Sequence, residues 1–446
     1  MNSTFRILSV VLSLHAAAAV QADDDFAAAR LPNWHQWRGP EATGVAPVGD
    51  PPIRWDDTRN VKWKAAIPGS GKSSPIVWEG KVFLTTAINT GQVVEGTVKP
   101  EDQPERPFGI KFPDTLFRFN VLCLDRETGD VLWERTATEA LPHEGHHGDN
   151  SHASASPTTD GKRLYVSFGS RGLYCYDLEG ALQWKRGLNN VSTRLSFGEA
   201  SSPVVHGDVL ILNRDNEGNS RILAFHAATG EPLWDAKRDE PSAWATPVVV
   251  EHNGRTQVIT NASHRVRSYE LSTGKLLWEC GGQVSNVTPC PVILDDHVIC
   301  MSGYRGSSAM SLPLDAEGDI SGSARVAWKI GQDTPYVPSP LLYGNRLYFN
   351  KLNSAILTCL DAKTGQPILE ATRLEGLSNV YASPVGCADR VYYVGRDGVT
   401  LVLKNSAPLE VLATNRMDDS FDASPAISGR QLFLRGREHL YCLESR

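Results

Sequence analysis

Hydrophobic positions along this chain come in short runs separated by turn residues. Within the runs apolar and polar residues alternate, and no helical period appears. The pattern predicts β-strands throughout, and the strands come in repeating sets. A small residue followed by proline and aliphatic residues opens each set: "SSPIV" (Pro75), "SASPT" (Pro157), "SSPVV" (Pro203), "ATPVV" (Pro247), "PCPVI" (Pro291), "PSPLL" (Pro340), "ASPVG" (Pro384) and "ASPAI" (Pro425). A second run follows, such as "GKVFLTT", "GDVLILN" or "DRVYYVG". A third ends in an acid, as in "LCLD", "YCYD" and "TCLD". A fourth carries tryptophan after a turn, as in "RETGDVLWE" and "AATGEPLWD".

Four short strands in units of about 45 residues are the mark of a propeller blade. Eight openings predict an all-β, eight-bladed propeller of four-stranded antiparallel blades spanning residues 60–446. The first unit is long because 88–119 is an insertion rich in Pro, Gly and charge, read as a surface loop or flap. The chain ends on a third strand, "YCLESR". The missing fourth strand is expected from the other end, as "NVKWKAAI" (60–67), with Trp63 in the place of Trp133, Trp184, Trp234 and Trp278. Such closure removes an open sheet edge. The tryptophans are expected to be structural, packed between blades.

The units resemble the pyrroloquinoline-quinone-type (PQQ-like) repeat. Its hallmark stands here as "DRETGDVLW" (125–133), and without the Asp as "HAATGEPLW" and "ELSTGKLLW". The opening "WHQWRGP" (34–40) followed by a propeller is similar to exported bacterial propellers of this type. Two groups of relatives bracket what the resemblance implies. Quinoprotein dehydrogenases hold the quinone and a calcium ion in the axial funnel. The propeller scaffold of outer-membrane protein assembly binds partners and no quinone. An adjacent Cys-Cys pair and the "CxxCH" of a c-type haem are both missing here.

Composition is ordinary for a globular protein, at 41% hydrophobic and 21% charged over 446 residues. A net charge of -7 without a basic run gives no reason to expect nucleic acid. Arg6, the apolar stretch 7–20 and the small-residue site 20–22 read as a cleavable export signal over 1–22. An N-terminal extension over 23–59 follows it. No cysteine follows the cleavage site, and no later stretch is apolar enough to span a membrane, so a periplasmic or secreted protein is expected.

Strand parity places the segments before each Pro motif and the turns between second and third strands on one face. Those turns are basic: Arg171, Arg214, His264 with Arg265, Arg305, Lys351, Arg396, and Arg435 with Arg437. The segments before the Pro motifs add Lys72, His152, Glu199, Trp244, Asn286, Tyr336, Asn379, Tyr381 and Asp422. A ring of cations around a funnel favours an anionic small molecule or polysaccharide. The alternative is that the cations pair with acids such as Asp215 and Asp397. The ligand-binding set expected at the funnel is therefore His152, Arg171, Glu199, Arg214, Trp244, His264, Arg305, Tyr336, Lys351, Tyr381, Arg396 and Asp422. Cell-envelope proteins are the other class of partner. No metal set is predicted, and no nucleophile elbow, phosphate loop or HExxH motif appears. The reading is a binding propeller without chemistry of its own. An oxidoreductase using the quinone with calcium on alcohols or sugars is the alternative; Glu199, Asn286, Asn379 and Asp422 are then the calcium candidates.

Two details remain. "HEGHHGDNSH" (143–152) holds four histidines; His143, His146 and His147 are expected in solvent, with His152 and Asn150 reaching the funnel. Cys123, Cys175, Cys359 and Cys442 share the third-strand position in different units and read as buried thiols, whereas Cys290 and Cys300 lie on consecutive strands close enough in sequence to pair.

Overall fold

The computed structural model describes residues 25–445, so the export signal expected over 1–22 lies outside them. Eight antiparallel sheets form the ring. Blade one is built from Ile76–Trp78, Lys81–Val93, Thr115–Asp125 and Val131–Ala140. Six further blades repeat the same order, and blade four gains a short parallel strand, Gly318–Asp319, lent by blade five. The last blade takes its outer strand from the N-terminal side: Val61–Ala66 pairs with His439–Glu444, setting Trp63 opposite Cys442.

The recurrent residue before each proline has a specific task. Each donates its backbone N–H to the side chain of its counterpart in the next blade. Ser74 N–H bonds Ser156 Oγ at 2.9 Å, Ser156 bonds Ser202 at 2.9 Å, and Ser202 bonds Thr246 at 3.0 Å. Thr246 bonds the Cys290 thiol at 3.1 Å, and Cys290 bonds Ser339 at 3.0 Å. Ser339 bonds Ser383 at 2.9 Å, Ser383 bonds Ser424 at 2.9 Å, and Ser424 returns to Ser74 at 3.0 Å. The belt is closed around the axis. The following proline holds the residue before it extended and brings no donor of its own.

A second interlock lies further out. The fourth-strand Trp of one blade sits on the turn glycine of the next and bonds that turn's backbone. Trp133 Nε1 donates to Leu178 O at 3.1 Å, Trp184 to Ala227 O at 2.9 Å, and Trp63 to Arg126 O at 2.8 Å. Trp328 of blade five does the same to Ala362. Trp278 differs: blade five has no Thr-Gly turn to receive it, and its Nε1 bonds Gln257 of its own blade at 3.2 Å. All eight cysteines are free and buried. Cys290 belongs to the belt and Cys300 to blade five's interior, so these two do not pair.

The extension runs as a strap beneath the ring. Trp34 exchanges both backbone hydrogen bonds with Val77, at 2.9 Å each. Arg38 is buried and gives its guanidinium to the carbonyls of Pro384 (3.1 Å) and Pro340 (2.9 Å), in blades seven and six. Ala46 then bonds Gly386 and Asp50 bonds Gly429. Between the Trp34 and Arg38 anchors, Trp37 faces up into the axis.

Candidate functional site

The segments before the Pro motifs and the turns between second and third strands meet on one face, around an axial funnel of about 270 Å³. Its floor is Trp37, packed against Ala243, Ala245, Ala262, Val287 and Cys290. Above the floor come hydroxyls of the belt, among them Ser74, Ser156 and Ser383. A residue of the N-terminal strap thus lines the inner end of the axial funnel.

The upper wall has two unlike halves. Blades three to six supply Phe197, Trp244, Tyr304 and Tyr336. Tyr304 and Tyr336 stack with centroids 4.8 Å apart, and Phe197 lies 6.2 Å from Trp244. Blades seven, eight, one and two supply a charged network. Arg396 Nε meets Asp422 at 2.7 Å and its NH2 donates to Asp149 at 2.6 Å. Lys72 pairs with the other oxygen of Asp422. Tyr381 donates its hydroxyl to Asp149 at 2.8 Å while its ring lies under Arg396, 4.1 Å from the guanidinium carbon. Burial opposes ionisation of Asp149, but hydrogen bonds from Arg396 and Tyr381 outweigh it and hold the carboxyl below its ordinary range. Arg396 is held firmly protonated by the two acids against its burial. Two cations face two carboxylates here, so the network carries no net charge.

The insertion reaches the same rim. Its arms lengthen the second and third strands of blade one to Val93 and from Thr115, so it is a long hairpin rather than a loop from 88 onward. At its tip, Phe108 packs edge-on against His147 (5.2 Å) and Phe197 (5.3 Å) and is itself exposed over the funnel.

The expected binding residues separate into three groups. Trp244, Tyr336, Tyr381 and Asp422 line the funnel, and Arg396 is bonded into its wall. His152, Arg171, Glu199 and Arg214 surround a side cavity of about 60 Å³ between blades two and three, which Trp244 also lines. There Glu199 accepts from Ser170 N–H (2.7 Å) and Arg214 (3.2 Å), and buried Glu144 accepts from Thr193 Oγ1 (2.7 Å). Burial pushes the Glu144 carboxyl up. His264, Arg305 and Lys351 line neither space. His264 bonds the Asp239 carbonyl, Arg305 lies exposed beside the Tyr304 ring, and Lys351 pairs with Asp333 at 2.8 Å.

Four of the turn cations have carboxylate partners: Arg214, Arg265, Lys351 and Arg396. The partners are not Asp215 or Asp397. Asp215 is bound by Arg238 in a fully buried pair, and Asp397 accepts from Ser378. The histidine loop is also arranged differently from the expectation. His143 bonds Val191 O at 2.7 Å, and His146 stacks edge-on against His152 with centroids 4.7 Å apart. None of the three outer histidines stands free in solvent, and His147 with Asp149 lines the funnel where His152 does not. Burial, with His146 and His143 nearby, pushes His152 down to about 3, so it is neutral. Trp37, Phe197 and Tyr304 were not singled out in the sequence. Trp37 lies in the quoted "WHQWRGP", where the second Trp was the available signal.

The four calcium candidates do not converge. Glu199 is committed in the side cavity and Asp422 is held by two cations. Asn379 is exposed, and Asn286 is buried beside Tyr336. Among the described residues no group of three or more His, Cys, Asp or Glu is placed to hold a metal ion. These residues do not form the oxygen cage of a calcium site. Among the same residues no helix is long and apolar enough to cross a membrane.

A family model described as "Outer membrane protein assembly factor BamB" (PQQ_2) matches residues 118–370, more than half of the chain. Comparison with the curated proteins gives no match. Among solved structures, BamB from Moraxella catarrhalis is similar at a TM-score of 0.56 and 10% identity, over 85% of this chain and 98% of that one. A europium-containing methanol dehydrogenase gives 0.60 at 9% identity, over 92% and 90%. The quinohemoprotein alcohol dehydrogenase ADHIIG from Pseudomonas putida HK5 gives 0.58 at 10% identity, over 96% and 81%. At such identities the likeness is one of fold.

Proposed function

The chain belongs to the PQQ-like β-propeller family described as outer membrane protein assembly factor BamB, and from that premise we propose that it is an exported binding protein whose axial funnel holds a ligand without transforming it. The observation that carries the reading is the funnel itself. It is concave, walled by aromatic rings on one side and by a few bonded polar groups on the other, which is the usual build of a small-molecule site. Export rests on the leader over residues 1–22.

The charge balance of the wall shifts the expected ligand away from a strongly anionic one. Arg396 and Lys72 are already answered by Asp149 and Asp422. An anion entering there would displace a bonded carboxylate rather than meet an open cation.

The quinone- and calcium-dependent alternative draws support from the fold of the two dehydrogenase neighbours. The side chains do not favour it, because the candidate calcium ligands are dispersed.

Saturation-transfer NMR against a library of small polar and aromatic compounds tests the binding reading. The protein is compared with a Trp244→Ala, Tyr336→Ala variant shown to keep its far-UV spectrum. Compounds that lose transfer in the variant are expected. A library in which no compound distinguishes the two proteins overturns the reading. Dye reduction with alcohols or aldoses that appears only on adding quinone and calcium would replace it with the oxidoreductase.

A further inference from the structure

The two halves of the funnel wall say what kind of ligand fits, given that the funnel is a binding site as proposed above. Ring order follows from the belt, which joins blade eight to blade one. The charged groups come from consecutive blades seven, eight, one and two, and Phe197, Trp244, Tyr304 and Tyr336 from three, four, five and six; on the charged side the rings are Tyr381, bonded to Asp149 and covered by Arg396, and Phe108 at the rim. The funnel is therefore amphipathic across its diameter. A ligand seated on Trp37 would have one side against aromatic faces and the other against hydrogen-bonding groups.

Three properties of the ligand follow. It presents an apolar face to the side with Trp244, Tyr304 and Tyr336. It presents a row of neutral hydroxyls to the other, where Asp149 and Asp422 retain acceptor lone pairs beyond those used by their cations. It carries no net charge, since the wall is already balanced. A steroid or a simple aromatic ring meets the first condition and leaves the charged arc unsatisfied on desolvation. A polyanion fails the third. A pyranose meets all three: its axial C–H groups make one flat apolar face and its hydroxyls project around the edge. The cavity of about 270 Å³ lies just below the roughly 300–1,000 Å³ of sites for drug-sized molecules. That volume, with Trp37 at the inner end, suits one ring.

We propose that the axial funnel binds a single pyranose ring of a neutral saccharide, stacked on the aromatic half and hydrogen-bonded by Asp149 and Asp422. The ring is either a free sugar or the terminal residue of a glycan.

Isothermal titration of the full chain with uncharged methyl glycosides of glucose, galactose and mannose tests this. Glucuronic acid, glucosamine, p-cresol and indole serve as comparators, and neutral oligosaccharides distinguish the two sources. At least one neutral glycoside is expected to bind more tightly than its charged analogue. Binding should weaken roughly tenfold in Tyr304→Ala, as for loss of one stacked ring. It should also weaken in Asp422→Asn, which keeps the shape and loses the charge. Tighter binding of an oligosaccharide than of its terminal sugar supports a glycan end, and equal binding supports a free sugar. If no neutral saccharide binds but p-cresol or indole does, sensitive to Tyr304→Ala, the saccharide class is overturned and the funnel remains a binding site. If glucuronic acid binds more tightly than the glucoside, the neutral class is overturned. If no probe binds, both readings fall. Tyr304 is partly exposed, so Tyr304→Ala is expected to melt with the wild type, whereas Asp422→Asn leaves Arg396 and Lys72 one carboxylate short and is expected to melt lower; should either unfold, Tyr381→Phe replaces it, removing only the hydroxyl that bonds Asp149.

Discussion

A serine hydroxyl in the belt satisfies a backbone N–H that no strand pairing reaches. Ser202 Oγ accepts from Ser156 N–H in blade two, and both residues are nearly inaccessible to solvent. Ser202→Ala leaves that donor buried and unpaired, at a cost of about 1–3 kcal/mol. Cys290→Ser gives Thr246 N–H a stronger acceptor in the same place. Urea unfolding is expected to show Ser202→Ala less stable and Cys290→Ser at least as stable as the wild type; equal loss in both would mean that packing, not hydrogen bonding, selects the residue. The small residue was legible in the sequence as a repeat. Its task was not, because each bond crosses to another blade, 46 residues away for this pair. The same limit hid the pairing of the turn cations. Arg396 was visible as a cation, but one of its acids, Asp149, stands 247 residues away.

At the level of strands and turns, the Thr-Gly turn and the Trp form a lock between neighbouring blades. Gly230 adopts φ +70°, and a Cβ there would sit 2.5 Å from Cε3 of Trp184 in the previous blade. Gly230→Ala combines left-handed strain of roughly 1–2 kcal/mol with overpacking of about 1–3 kcal/mol. Gly207 adopts φ +53° with nothing near its missing Cβ. Gly207→Ala therefore carries the strain alone, about 1–2 kcal/mol. Thermal melts should place Gly230→Ala clearly below Gly207→Ala, and coincident melts would refute the lock. The sequence displayed this lock well, since turn and Trp recur at fixed spacing. It did not display where the lock is broken. Trp278 holds the right position, but its partner turn in blade five is absent, and it turns to Gln257. The insertion was likewise visible as an interruption, whereas the contact of Phe108 with His147 and Phe197 depends on how the hairpin bends back over the rim.

Across the whole molecule, one N-terminal stretch both floors the funnel and closes the ring. Closure was readable because the last unit lacks a strand that the N-terminal side supplies. Removing residues 55–66 should therefore leave His439–Glu444 as an open edge, and the shortened protein is expected to aggregate or melt far below the intact one; an unchanged melting curve would show that closure contributes nothing. The strap was not readable, since most of its partners are backbone groups of blades one, two and six to eight, which carry no sequence signature. It does carry a titratable group. His35 is buried beneath the ring, edge-on to Phe26 at 5.3 Å, with its backbone carbonyl accepting from Thr159. Burial, helped by the nearby charge of Arg30, pushes its imidazole down to about 3. An unfolded histidine titrates near 6.5, so on acidification the unfolded chain takes up the proton first. The contribution is intact above about pH 6.5 and lost as pH falls from there towards 3, by up to about 1.4 kcal/mol per pH unit. His152 titrates in the same direction and adds to the slope. His146, also pushed down by burial, acts in the same sense; His35→Phe removes one of these three imidazoles and keeps a ring against Phe26. Melting temperatures measured between pH 7 and 4 should fall less steeply for His35→Phe than for the wild type. Parallel curves would mean that the strap is already detached, or open to water, before the imidazole is protonated.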